Sequence, residues 1–186
     1  MWESLQHEFY RYFVDNGASS WWLNGIKTTI LVTLLALCIG VVLGFLVAII
    51  RSTHEQTGKL KLLNILCKIY LTVIRGTPSM IQILIFYSIV FASVSLSNIV
   101  IGGIAFGINS GAYVAEIVRS GIMSIDKGQM EAGRSLGLSS SQTMKLIIMP
   151  QAFKNVLPAL INEMIVLLKE TAIIGYIGTV DIANSS

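Results

Sequence analysis

The sequence predicts an all-α, polytopic helical membrane protein, and three observations carry that prediction. Hydrophobic residues make up 54% of the chain and charged residues only 12%, with a mean hydropathy of +0.73; soluble domains average about 25% charged. Thr28 to Ile50 carries no charge, and neither does Gly76 to Ala115. At ~1.5 Å per helical residue the first run crosses the ~30 Å of bilayer hydrocarbon, and the second is too long for one crossing but sufficient for two.

The elements follow in order. The leader is acidic and aromatic, with Glu3, Glu8, Asp15, Trp21 and Trp22. A cleaved signal has a basic start and a short apolar core, so this is none; the tryptophans suit the headgroup belt before a first span over Thr28–Ile50. Arg51 to Lys61 reads as a polar connection. Leu62 to Ile74 has apolar residues near helical spacing and reads as a helix approaching the membrane. Arg75-Gly76-Thr77-Pro78 follows. Pro78 lacks a backbone N–H and disfavours helix at Thr77, which predicts a kink or a fresh helix start as the second span begins. Ser93 to Asn98 is a short connection, so spans two and three are expected to be antiparallel neighbours. Gly103, Gly107 and Gly111 in the third span, like Gly40 and Gly44 in the first, recur at four-residue steps that let helices approach closely in lipid. Val156 to Val180 is a fourth, imperfect span broken by Glu163, Lys169 and Glu170. Residues 1–186 read as a single transmembrane domain without linkers or repeats.

Lysine and arginine bias sets topology. Ten of the thirteen basic residues lie in Arg51–Arg75 and Arg119–Lys154. Both stretches are therefore expected on the cytoplasmic side, with the N-terminus outside. The net charge of +3 is explained by these residues and calls for no nucleic acid.

Residues 121–150 then fall on the cytoplasmic side. Gln129–Leu136 and Ser139–Met149 read as two short helices around a turn, with Ser139 or Ser140 as N-cap and Gly137 as a left-handed terminus. Pro150 is expected to end the second helix. Ala132 and Gly133 strip bulk from one face, so a partner can approach the backbone, with Glu131 and Arg134 at its border.

The segment Glu131–Pro150, EAGRSLGLSSSQTMKLIIMP, resembles the EAA loop of ATP-binding-cassette importer permeases. Glu131, Ala132, Gly137, Ile147 and Pro150 are in register; Gly133 and Met149 depart mildly. Arg75-Gly76-Thr77-Pro78, Tyr113 to Arg119, Lys127-Gly128-Gln129, Pro150-Gln151-Ala152, Asn162-Glu163 and Leu168 to Thr171 are similar to the polar amino acid subfamily, from about Asn24 to Asp181. The resemblance implies a type I importer transmembrane domain in a bacterial or archaeal plasma membrane. It implies a second permease copy or close relative, a cassette ATPase docked through Gln129, Glu131, Ala132, Gly133, Arg134, Leu136 and Gly137, and an extracellular solute-binding protein. Family members usually have five spans, so this chain is expected to lack its last helix.

No Gly-x4-Gly-Lys-Ser/Thr loop is present, so ATP and magnesium are expected in the partner ATPase and no cofactor in this chain. His7 and His54 fall on opposite sides of span one and share no metal. No catalytic constellation emerges, so the chain is not expected to act as an enzyme by itself.

Ionisable and polar residues within spans mark a substrate pathway. Asn109, Tyr113 and Glu116 share one helical face, and Glu163 interrupts the fourth span beside Asn162 and ahead of Lys169. Glu116 or Glu163 would take an amino acid's ammonium, and Lys169 or Asn109 its carboxylate; the plainer reading pairs Glu116 with Arg119 three residues on. A self-sufficient secondary transporter or channel, and a membrane scaffold, are the competing functions.

Overall fold

The computed structural model describes residues 2–11 and 18–178, all helix and connection, with no strand among the described residues. Asp15 of the leader and Thr179-Val180-Asp181 lie outside them, as does the side chain of Trp21.

Helix α1 spans Trp2–Tyr10 and α2 spans Ala18–Thr57. At 40 residues α2 is ~60 Å long, about twice the hydrocarbon thickness. The expected polar connection after Ile50 is therefore helical as far as Thr57. Arg51–Thr57 lacks hydropathy but contains no Gly or Pro, so nothing local interrupts the helix. It ends at Gly58, whose φ of +68° only glycine adopts cheaply, with its N–H on the His54 carbonyl.

Helix α3, Lys61–Gly76, and α4, Ser79–Ile85, meet at a 109° bend. Pro78 is the cause. A continuing helix would satisfy the Ile74 carbonyl with the N–H of residue 78, which proline lacks. The Gln82 side chain takes that role: its Nε2 donates to Ile74 O at 2.7 Å, Thr77 O at 2.9 Å and Thr77 Oγ1 at 2.8 Å. A π turn over Phe86–Val90 completes this arm.

Helix α5, Asn98–Met123, starts at an N-cap on Ser97 and is the most buried element. Its glycines answer the question of which surface they serve. A Cβ added at Gly107 would lie 2.7 Å from Ile39 Cβ, one at Gly111 3.0 Å from Leu43 Cβ, and one at Gly44 2.5 Å from Val114 Cγ1. The small-residue stripes pack α2 on α5 within this chain. The paired numbers rise together, so the two helices run parallel. The chain must then return between them, through the bent α3–α4 arm.

Helix α6 spans Lys127–Ser135 and α7 Ser140–Thr143; a π turn over Met144–Ile148 leads into α8, Met149–Glu170. Here Pro150 does not end a helix as expected. The preceding π turn carries Met149 N–H to Met144 O, so Pro150 enters at the first positions of α8, where its missing N–H costs least. Gln151 Nε2 meets the Ile147 carbonyl at 2.8 Å. Helix α8 lies antiparallel to α5: Glu163 meets Ser110, Val156 packs on Val118, and Asn155 donates to Ser124. A 3-10 turn over Thr171–Ile177 closes the described chain, tied to α5 by Asn98 Nδ2 on Ile177 O.

By length and composition two helices can cross a membrane, Trp22–Glu55 of α2 and Asn98–Met123, and the bent α3–α4 pair makes a third if counted as one span. Helix α8 is ~33 Å long but carries Lys154, Glu163, Lys169 and Glu170, the imperfection visible in the sequence.

Candidate functional site

Two regions carry chemistry. The first is the loop between α5 and α8. Asp126 caps α6 by accepting from Gly128 N at 2.6 Å. Gly137 closes α6 in the left-handed region, φ +86°. Ser139 forms a capping box with Gln142: Gln142 N donates to Ser139 Oγ, and Ser139 N to Gln142 Oε1. The N–H groups of Leu136, Gly137, Leu138, Ser139, Gln142 and Thr143 all find local partners, which ties the two short helices together. Gln129, Glu131, Ala132 and Arg134 are exposed, and Leu136 is 82% exposed. Gly133 differs from its expected use. It is buried, and a Cβ there would lie 2.5 Å from Thr143 Cγ2. Its missing side chain admits α7 rather than a partner. Glu131 and Arg134 form no ion pair; Arg134 Nη1 donates to Ser140 Oγ at 3.2 Å.

The second region is a polar seam along α5. The face predicted for Asn109, Tyr113 and Glu116 looks onto the α3–α4 bend. Asn109 Nδ2 donates to Gln82 Oε1 at 3.0 Å, so the amide that repairs the Pro78 break also anchors it to α5. The Arg75 guanidinium sits 5.5 Å over the Tyr113 ring. Glu116 pairs with Arg119 Nε at 3.2 Å, but its shorter partner is Arg51 Nη1 at 2.6 Å, with Arg75 at 3.9 Å. Arg119 also approaches Glu55 at 3.7 Å. One carboxylate therefore ties the ends of α2, α3 and α5 together.

Glu163 lies on the other side of α5. It is 9% exposed and accepts from Ser110 Oγ at 2.8 Å. Asn162 and Lys169 are exposed and share no hydrogen bond or ion pair with Glu163. The six predicted pathway residues thus divide into three facing the bend, one buried against Ser110, and two at the surface. Sequence reasoning missed Gln82, Arg51 and Arg75. A lone amide four residues after a proline in a charge-free run was a usable signal for Gln82; no local pattern links Arg51 to a carboxylate 65 residues away. Among the described residues no group of His, Cys, Asp and Glu is placed to hold a metal.

The parallel helix pair, the broken arm between them and the capped loop at one end are the frame of a helical membrane subunit. Residues 40–183 match the family described as binding-protein-dependent transport system inner membrane component, and the chain belongs to that family. It is 40% identical over 165 residues to the putative glutamine transport system permease protein GlnP of Rickettsia felis, covering 86% of this chain and 72% of the relative. It is 36% identical over 165 residues to the arginine transport system permease protein ArtQ of Bacillus subtilis, with the same coverage. A crystal structure of an amino acid ABC transporter with histidines superposes with a TM-score of 0.81 at 40% identity, over 89% of this chain and 75% of that one. The fold is the type I importer transmembrane domain.

Proposed function

We propose that this chain is the permease subunit of an ATP-driven importer and forms part of the translocation pathway for a polar amino acid across a bacterial plasma membrane. The observation that carries the reading is the α6–α7 loop: a rigidly capped pair of short helices with an outward face of Gln129, Glu131, Ala132, Arg134 and Leu136. A separate ATPase subunit, which holds ATP and magnesium, docks on that face, and a solute-binding protein delivers substrate from the opposite side. A second permease copy or close relative completes the pathway. The N-terminus is outside and residues 121–150 are cytoplasmic; lysine and arginine bias supports this, as does the clustering of Arg51, Arg75 and Arg119 at the loop's end of α5. The amino acid class is supported by the glutamine and arginine permeases among the relatives.

Leu136→Asp tests the docking. Leu136 is 82% exposed, so the change leaves the fold intact and puts a charge on the docking face. Co-purification of the ATPase subunit is expected to fall at least tenfold, about 1.4 kcal/mol, with unfolding temperature unchanged. Undiminished co-purification contradicts the reading.

A further inference from the structure

Beside the Glu116 network an open cavity of about 590 Å³ is lined by Arg51, Lys68, Leu71, Arg75, Tyr113 and Glu116, among others. Its charged lining is three cations against one carboxylate, and Glu116 is already shared among Arg51, Arg75 and Arg119. Among the described residues Lys68 has neither ion pair nor hydrogen bond. Arg51 Nε is a fully buried donor without a partner. The surplus of positive charge makes the cavity attractive to an anion, while the Arg51 Nε donor is sealed from it.

The surface around the cavity says which anion. Lys61, Lys68 and Arg75 stand at seven-residue steps on α3, a stripe that drifts only ~20° per step. Exposed Leu62, Ile65, Leu66, Ile69 and Val73 lie along one side of it. A basic stripe bordered on one side by exposed aliphatic residues and on the other by the buried face of α3, ending at a basic pocket between helices, is the chemistry of a phospholipid surface. A free anion in water gives no reason for the aliphatic side.

We infer that this cavity seats the phosphate of an anionic phospholipid headgroup, held by Lys68 Nζ and the Arg75 guanidinium beside the Arg51 charge, with the acyl chains along the exposed aliphatic side of α3. The bound lipid supplies the charge that Glu116 alone does not, and braces the α3–α4 bend against the end of α2. This site does not depend on which solute the protein carries.

The test is native mass spectrometry of the full chain in neutral detergent, with phosphatidylglycerol or phosphatidylcholine of the same acyl chains added at equal concentration. Phosphatidylglycerol is expected to be retained more than tenfold better. Lys68→Gln, at an exposed side chain without partners, is expected to lower that retention about fivefold, the contribution of one basic residue beside an anionic headgroup. Lys68→Arg should restore it, and Lys154→Gln, away from the cavity, should not change it. Equal retention of the two lipids overturns the inference. So does retention that ignores Lys68→Gln, or a thermal shift with inorganic phosphate that phosphatidylglycerol does not reproduce, since the site would then serve a free anion.

Discussion

Replacing Gln82 with leucine removes the side chain whose hydrogen bonds join the Pro78 break to α5. Gln82 and Asn109 are 6% and 5% exposed. In Gln82→Leu the Asn109 amide loses its partner at 3.0 Å and the Ile74 carbonyl loses its donor at 2.7 Å. Thr77 is exposed and finds water instead. Two orphaned groups at about 2 kcal/mol each cost about 4 kcal/mol, offset by up to about 2 kcal/mol of added apolar burial at a position already closed to water, so a net loss of about 2–4 kcal/mol is expected. For a chain of this size that lowers the unfolding temperature by about 4–15 °C. Cys67 provides the assay: it is 7% exposed, and a maleimide that fluoresces on reacting with thiols reports its release on heating in a Cys38→Ser background. Adding Asn109→Leu to Gln82→Leu removes the second orphan and is expected to recover about 1 kcal/mol or more relative to the sum of the single changes. An unfolding temperature within 1–2 °C of the parent, or strict additivity, would refute the account of the bend.

The remaining predictions concern packing, the buried carboxylate and the loop. Gly107→Ala forces a Cβ to within 2.8 Å of Ile39 Cγ2 and 3.2 Å of the Ala36 carbonyl, so it should cost about 1–3 kcal/mol in the same thermal assay. Gly76→Ala, with nothing within 4 Å of the added atom, should be neutral or slightly stabilising. Glu163→Gln removes the charge beside Ser110 and is expected to slow solute uptake in reconstituted vesicles several-fold while ATPase co-purification is retained; unchanged kinetics would remove Glu163 from the pathway. Ser139→Ala deletes half of the capping box and should cost about 1 kcal/mol, read as faster amide exchange at Gln142.

Local chemistry was legible where its cause lies within a few residues. Gly137, the Ser139 cap and the helix restart after Pro78 each follow from one residue's backbone preferences, and all three stand in the structure. The small-residue stripes announced close packing and the basic-residue bias made spans one and three parallel, but the sequence held no sign that these two pack on each other; that became visible only through pairs such as Ile39 with Gly107. The extension of α2 to Thr57 was hidden because apolarity marked the span's limit and helix continuity does not require apolarity. Pro150 was misread because a π turn beginning five residues after the Ser139 cap changes what a proline interrupts. The Glu116 network joins residues 65 positions apart, and Gly133 joins two short helices whose angle no periodicity records.

The account rests most directly on which side of the membrane the α6–α7 loop faces. Leu136→Cys in a Cys38→Ser background places a reactive thiol on its exposed face, while Cys67 stays buried. A membrane-impermeant maleimide is predicted to leave intact cells unlabelled, to label inverted vesicles, and to be blocked when the ATPase subunit is bound. Labelling of this position from outside intact cells would contradict the account.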